Sequence, residues 1–559
     1  MALSIEAFGG RSGDGSDTTP AARQALSRLK ETGETQLVFP PGRYDFWPDR
    51  AAERYLFIAN NDEGLKRIAL PITGFDELEI LGDGAQFVFH GLVLPIVIEK
   101  SARVQLRGFS IDWARPFHSE AEVLETRANG VDLRIDDAFP YRLDYGRLVF
   151  AGEGGRVHTI GNILEWDPRK RETAPKAQDN YGIGGRYVAE AIGPQRVRLT
   201  AAFSRPHPTP GNRLVLVDEG RHCPAIVIAG SRDISITDVT IHHAGAMGVI
   251  ALRSENLRFE RLRVTPPPDG TRLVSTQNDA THFVNCGGHI ELIDCLFENQ
   301  MDDATNVHGI YAQISANIRA DALELRLMHR QQHGAEFVAV GDRLELVRAD
   351  TLLTYHEACV RAVQRVNKEF LRVTFDGTLP GDLAVGDAVA NLTWTPAVSI
   401  RGCTARANRA HGFLLSTPQR IVVEGNRFHT PGAAILIEGD ASPWFEAGAV
   451  RDVTIRDNLF EDCNFGVWGQ AAIQVTPGIA TTGRADTRYH SNIRIERNRF
   501  VAFDRRLVLA HCVDGLIFRA NTVVASDAYP AQHESAAPVT AEACSNVEID
   551  LEPAPALQD

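Results

Sequence analysis

The feature that most restricts this fold is a short unit that returns along the second half of the chain. The stretches "VRDVTIRDNLFEDC", "NIRIERNRFVAF" and "GLIFRANTVVA" share a loose pattern of alternating apolar residues followed by N-x-F or N-x-V. Its asparagine recurs at Asn426, Asn458, Asn498 and Asn521, with gaps of 32, 40 and 23 residues. A period in the low twenties, lengthened by loop insertions, is the signature of a parallel β-helix. One coil cannot bury its inward face alone, so stacked coils share a core. The asparagines are expected at a tight turn, where Asn tolerates the left-handed region and bonds its neighbours in a ladder.

The rest of the chain fits an all-β body. One helix is expected near the start, in "TTPAARQALSRLKETG", with Thr as cap, Pro in the first turn and Gly at the end. Two segments carry β patterns without the repeat, such as "GVDLRIDDAF" and "VGDRLELVRADTLLTYHEACVRAVQ". They read as small β-barrel modules inserted between coils. The expected organisation is therefore 1–116 as N-terminal coils with one capping helix, 117–222 as a first inserted module and 223–310 as central coils. A second inserted module follows at 311–395, then C-terminal coils at 396–559.

A net charge of −14 argues against nucleic acid as a partner, because phosphate binding needs a basic stripe and none is present. No apolar run reaches 18 residues, so no membrane span is expected. "MALSIEAFGG" has neither a basic nor an apolar signal-peptide region. A periplasmic or secreted location would follow if the natural chain begins with a signal since removed. The eight cysteines form no CxxC pair, and the expectation is buried free thiols rather than zinc ligands or a disulfide framework.

The chemistry concentrates in "STQNDATHFVNCGG" and "NQMDDATNVHG". Asp302 and Asp303 follow Asp279 by 23 and 24 residues, one coil. Equivalent positions on successive coils stack about 4.8 Å apart. Two adjacent aspartates cannot both project from one face of a regular strand, so Asp302-Asp303 are expected at a bend or strand end. Three carboxylates then converge on one patch of the outer wall. Crowded like charges push one pKa up, which makes an acid and a base available at one pH. Glycoside hydrolysis asks for that pair. Thr276, Gln277, Asn278, Asn306 and His308 are candidates for sugar hydroxyls, although a solvated acidic turn or a calcium site would use the same residues.

A second patch, "EGDASPWFEAG", offers Trp444 as a face for sugar C–H bonds and Glu446 for hydroxyls. "IDWARPFH" adds Asp112, Trp113 and Arg115, and "TIHHAGAMG" adds His242 and His243. The His pair and His289 read first as structural.

"QNDATHFVNCGGHIELIDCLFENQMDDATNVHGIY", "IDWARPF" and "WFEAGAVRDVTIRDNLFEDC" resemble glycoside hydrolase family 110, α-1,3-galactosidases that remove terminal galactose, including from blood-group-B-type glycans. The resemblance covers nearly the whole chain. It implies a right-handed, pectate-lyase-like parallel β-helix with two inserted β-barrels, and inversion at the anomeric carbon without metal or cofactor. It implies Asp302 as general acid and Asp279 with Asp303 as the water-activating pair. Asn278, Asn306, His308, Trp444, Glu446, Asp112, Arg115 and His243 are the expected substrate-binding residues. The expected partner is a galactose-terminated oligosaccharide or glycoconjugate, with a homodimer left open. Two other readings remain at this point. A polygalacturonase-like hydrolase would want a basic uronate pocket, which the sequence does not offer. A non-catalytic glycan-binding solenoid would not need three converging carboxylates.

Overall fold

The computed structural model describes residues 2–550 apart from 184, 205–206 and 219. Two long sheets run the length of the body. In one, Arg420–Glu424, Asp452–Arg456, His490–Glu496, Val513–Arg519 and Ser545–Ile549 pair in parallel, each from the next coil. In the other, Thr281–Val284, Thr305–Ile310, Phe413–Leu415 and Ile435–Ile437 do the same. The inward residues of every coil merge into one apolar column from Ile5 to Val539. Phe428, Phe460 and Phe500 stack in it with ring centroids 5.0 and 4.8 Å apart and nearly parallel planes. Each such ring stabilises the fold by roughly 1.5–3 kcal/mol through burial. The chain is a parallel β-helix.

The expected ladder is present. The backbone N–H and the side-chain Nδ2 of Asn426 both donate to Oδ1 of Asn458, at 2.9 and 3.0 Å. Asn458 donates in the same way to Asn498, and Asn498 to Asn521. The left-handed conformation belongs to the preceding residue instead: Gly425, Asp457, Arg497 and Ala520 have φ of 66, 56, 55 and 51°. That residue turns the chain outward, which aims the next side chain into the corner, where its amide can serve two neighbours. Cys403 and Cys295 occupy the equivalent corner, each after a left-handed Gly402 or Asp294.

The N-terminal helix spans Thr19–Thr32 and covers the open end of the column with Ala22, Ala25, Leu26 and Leu29. Its first turn is capped by Asp17, whose Oδ1 accepts from Thr19 N at 2.9 Å, and not by the threonine hydroxyl. Gly33, at φ 74°, ends it by donating to Leu29 O. No helix among the described residues is long and apolar enough to cross a membrane. The cysteines are free; Cys359 is exposed and Cys544 half-buried, and the other six are buried as expected.

Two antiparallel insertions leave the coils on either side of the central strands. Strands between residues 118 and 217 form a seven-stranded sheet with a three-stranded sheet beside it, around a core of Leu133, Phe150, Val197 and Leu199. Strands between 312 and 391 close into a six-stranded barrel around Leu323, Leu325, Leu344 and Val373.

Candidate active site

The wall strands Thr281–Val284, Thr305–Ile310 and Phe413–Leu415 pair Thr281 with Thr305 and Thr305 with Phe413. Two residues before each lie Asp279, Asp303 and His411, which therefore occupy the same corner of three successive coils. Asn278 and Asp302 precede the first two. Asp302 lies in a bend and Asp303 follows it before the strand begins. The two side chains can thus diverge as a regular strand would not allow. Oxygens of Asp279, Asp302 and Asp303 all lie within 4.8 Å of one another. They line a cleft of about 680 Å³.

Each carboxylate has a different partner. Asp303 Oδ1 accepts from the backbone N–H of His411 at 3.0 Å and faces its Nδ1 at 2.9 Å. Asp302 Oδ1 accepts from Arg409 Nη1 at 2.8 Å, and Arg221 Nη2 stands 3.7 Å from its Oδ2. Arg409 is itself gripped by Asp179 of the first insertion, through Nε and Nη2 at 2.7 Å each. Asp279 Oδ1 accepts from Asp303 N at 3.3 Å, and Oδ2 meets His282 Nδ1 in a short contact. Buried Asn408 holds the turn by donating to the carbonyls of Asp302, Arg409 and His411.

These surroundings separate the proton affinities. Burial, and then the charge of Asp303, push Asp279 up to about 8. Burial pushes Asp302 up to about 7, against the pull of Arg409 and with a further push from Asp279 and Asp303. Burial also opposes ionisation of Asp303, but the charge and hydrogen bonds of His411 hold it below the usual carboxylate range. The same pair raises His411 against its own burial. Near neutrality the floor of the cleft therefore offers a protonated carboxyl beside an ionised one. Also lining the cleft, Glu438 is raised by burial to about 7 and Glu446 well above its ordinary value.

Of the residues singled out from sequence, Asn278, Asn306, Trp444 and Glu446 line the cleft with the three aspartates, and so does Gln277. Trp444 is half exposed at the rim, its backbone N–H bonded to Asp440. His308 shares the outer face with Asn306 but is buried beside the cleft without lining it, 3.4 Å from Glu446. Three candidates are elsewhere. Asp112 is spent on an ion pair with Arg272 at 2.6 Å. Arg115 donates to the carbonyls of Ala151, Pro116 and His118 where the first insertion leaves the coil. His243 is fully buried between Phe117 N and Ser275 O. They sit on early coils at a corner that feeds the insertion, and coil number says nothing about which corner a side chain serves. Sequence reasoning missed Arg409, His411, Asp179, Arg221, His282 and Glu438. His411 had a signal: "AHGFLL" places it two residues before a strand, as Asp303 is, but the second insertion breaks the one-coil spacing.

Two groups bring donor atoms within 4.8 Å: the three aspartates, and His282, His308 and Glu446. Arg409, Arg221 and His411 already supply the positive charge that a cation would bring to the first. In the second, the two Nε2 atoms lie 2.8 Å apart. Two zinc–nitrogen bonds at a tetrahedral angle would hold them about 3.3 Å apart, so the contact has hydrogen-bond geometry.

Residues 119–214 match the GLAA-B beta-barrel domain I family and residues 322–389 match GLAA-B beta-barrel domain II. The chain is similar to alpha-1,3-galactosidase A of Shewanella woodyi, 37% identical over 97% of this chain and 89% of the relative. It is 31% identical to alpha-1,3-galactosidase B of Bacteroides thetaiotaomicron over 98% and 90%. It is 33% identical to alpha-1,3-galactosidase A of Bacteroides fragilis over 91% and 84%.

Proposed function

The chain belongs to the α-1,3-galactosidase family, glycoside hydrolase family 110, and removes α-1,3-linked galactose; from that premise we propose how the cleft does it. The substrate is a glycan ending in galactose, of blood group B type, linear Galα1-3Gal, or both, and the enzyme acts on the terminal residue. The observation that carries this reading is the trio of Asp279, Asp302 and Asp303 at the floor of a cleft bounded by both insertions.

Asp302 is the general acid. It is raised to about 7, so it holds a proton near neutrality, and Arg409 fixes its orientation. It gives that proton to the glycosidic oxygen as the bond breaks. Asp279 and Asp303 share the base role and draw a proton from the attacking water. Both His411 bonds go to Asp303 Oδ1, which leaves Oδ2 without a protein donor among the described residues. Asn278, Asn306, Glu438 and Glu446 supply hydroxyl contacts, and the Trp444 ring supplies an apolar face.

Attack by water on the face opposite the leaving group inverts the anomeric centre. A second reading rests on one observation: the nearest carboxylate oxygens approach within 4.8 Å. Inverting carboxyls stand about 6.5–9.5 Å apart and retaining ones about 5–5.5 Å. A nucleophilic aspartate and a retained product would suit the shorter separation.

Incubation with Galα1-3Gal and with the fucosylated B trisaccharide tests the reading. Galactose release from either supports it, and release from neither contradicts it. The Asp302→Asn variant should keep binding and lose turnover, whereas a glycan-binding solenoid would lose neither.

A further inference from the structure

Beside Asp279 two buried histidines form a chain whose proton directions follow from the chemistry of its end. His308 Nδ1 lies 2.7 Å from the carbonyl oxygen of Gly309. A carbonyl only accepts, so Nδ1 carries the hydrogen. Burial holds His308 well below its ordinary pKa, so the ring is neutral and its Nε2 is bare. His282 Nε2, 2.8 Å away, must then be the donor. With that nitrogen protonated, a neutral His282 has a bare Nδ1, and Nδ1 faces Asp279 Oδ2. One proton therefore occupies the Asp279–His282 contact. With His282 lowered to about 3 by burial, Arg221 adding to the effect, the proton rests on Asp279.

We propose that His282 and His308 form a proton relay that turns Asp279 from a carboxylic acid into the base acting on water. As water attacks, its O–H bond breaks and an O–H bond forms at Asp279 Oδ1. The Oδ2–H bond of Asp279 breaks and an N–H bond forms at His282 Nδ1. The charge of the resulting imidazolium is met by Asp303 and by Asp302, which has just given its own proton to the leaving group. Arg221 opposes that charge. His308 keeps its Nδ1–H throughout and accepts from His282 Nε2. The other groups facing His308 are Glu446 at 3.4 Å and His329. His282 and His308 are positioning residues, since neither touches the sugar in this scheme. The inference rests on Asp279 serving as base in the reading above.

Two measurements test it. In the first, kcat, KM and pH profiles are compared for Asp279→Asn, His282→Asn, His308→Gln and His308→Leu. The relay predicts that His282→Asn lowers kcat roughly 100-fold with little change in KM. Its acid limb should move up toward the pKa of Asp279, because Asp279 must then ionise unaided. In His308→Gln the new side-chain carbonyl can still accept from His282, so that variant should stay close to wild type, while His308→Leu should fall with His282→Asn. An inactive Asp279→Asn beside a His282→Asn with normal kcat and pH profile would overturn the relay alone. An active Asp279→Asn would overturn the base reading and the relay with it. The second measurement is neutron diffraction of the wild-type protein, which depends on no variant folding. Deuterium on His308 Nδ1 and His282 Nε2, with none on His308 Nε2, is expected; deuterium on His308 Nε2 would overturn the proposal.

Discussion

Two corners of the same β-helix use one geometric device for opposite ends. At one, Asn426, Asn458, Asn498 and Asn521 repeat on successive coils, and at the other Asp279, Asp303 and His411 do. An amide carries a donor and an acceptor, so each asparagine satisfies the next and the stack closes on itself. Ionised carboxylates only accept. Stacked at coil spacing they repel, and the second corner needs a shared proton, an imidazolium and Arg409 to stay together. The contrast shows how a solenoid gets chemistry from its own repeat: side chains that cannot complement their coil neighbours hold protons at unusual affinity.

The sharpest way to break the comparison is to make the catalytic corner amide-like. Asp302→Asn should lower kcat on Galα1-3Gal by roughly 10³-fold with binding retained, measured by steady-state kinetics and calorimetry. The deficit should shrink on an aryl galactoside whose leaving group needs no proton. The converse change acts on stability alone. Asn458→Ala leaves the backbone N–H of Asn426 without an acceptor and its Nδ2 with only Ile400 O, and should cost roughly 1–3 kcal/mol in denaturant unfolding, with kcat unchanged. Arg409→Gln should lower kcat about tenfold and move the alkaline limb upward, because the lost positive charge had held Asp302 down. The smallest effect is thermal. A carboxyl raised to about 7 is neutral in the fold at pH 5 and costs stability as pH rises from about 4 through 7. Asp302→Asn escapes that cost, so its Tm should gain on wild type as pH climbs and match it most closely at low pH.

The ladder corner was legible because its signal is repeated identity: the same Asn in the same unit, four times. What the pattern did not reveal was which residue takes the left-handed turn, since Gly, Asp, Arg and Ala all do so at the position before. The Asp279 and Asp302-Asp303 echo was legible for the same reason, being one uninterrupted coil. The groups that tune those carboxylates were not. His411 and Arg409 lie beyond the second insertion, and Asp179 comes from within the first, so no spacing links them to Asp302. Asp112, Arg115 and His243 misled because composition near a strand end does not tell which corner it reaches. His308 was legible as polar company, and strand alternation puts it on the same outer face as Asn306, but its burial there beside Glu446 followed only from the folded chain.

The central claim is that Asp302 protonates the leaving oxygen while Asp279 and Asp303 activate water. Its most direct test is proton NMR of the purified protein with Galα1-3Gal, following the anomeric signals in the first minutes. The account predicts β-galactose before mutarotation sets in. α-Galactose appearing first would contradict it and assign one of these aspartates as a nucleophile.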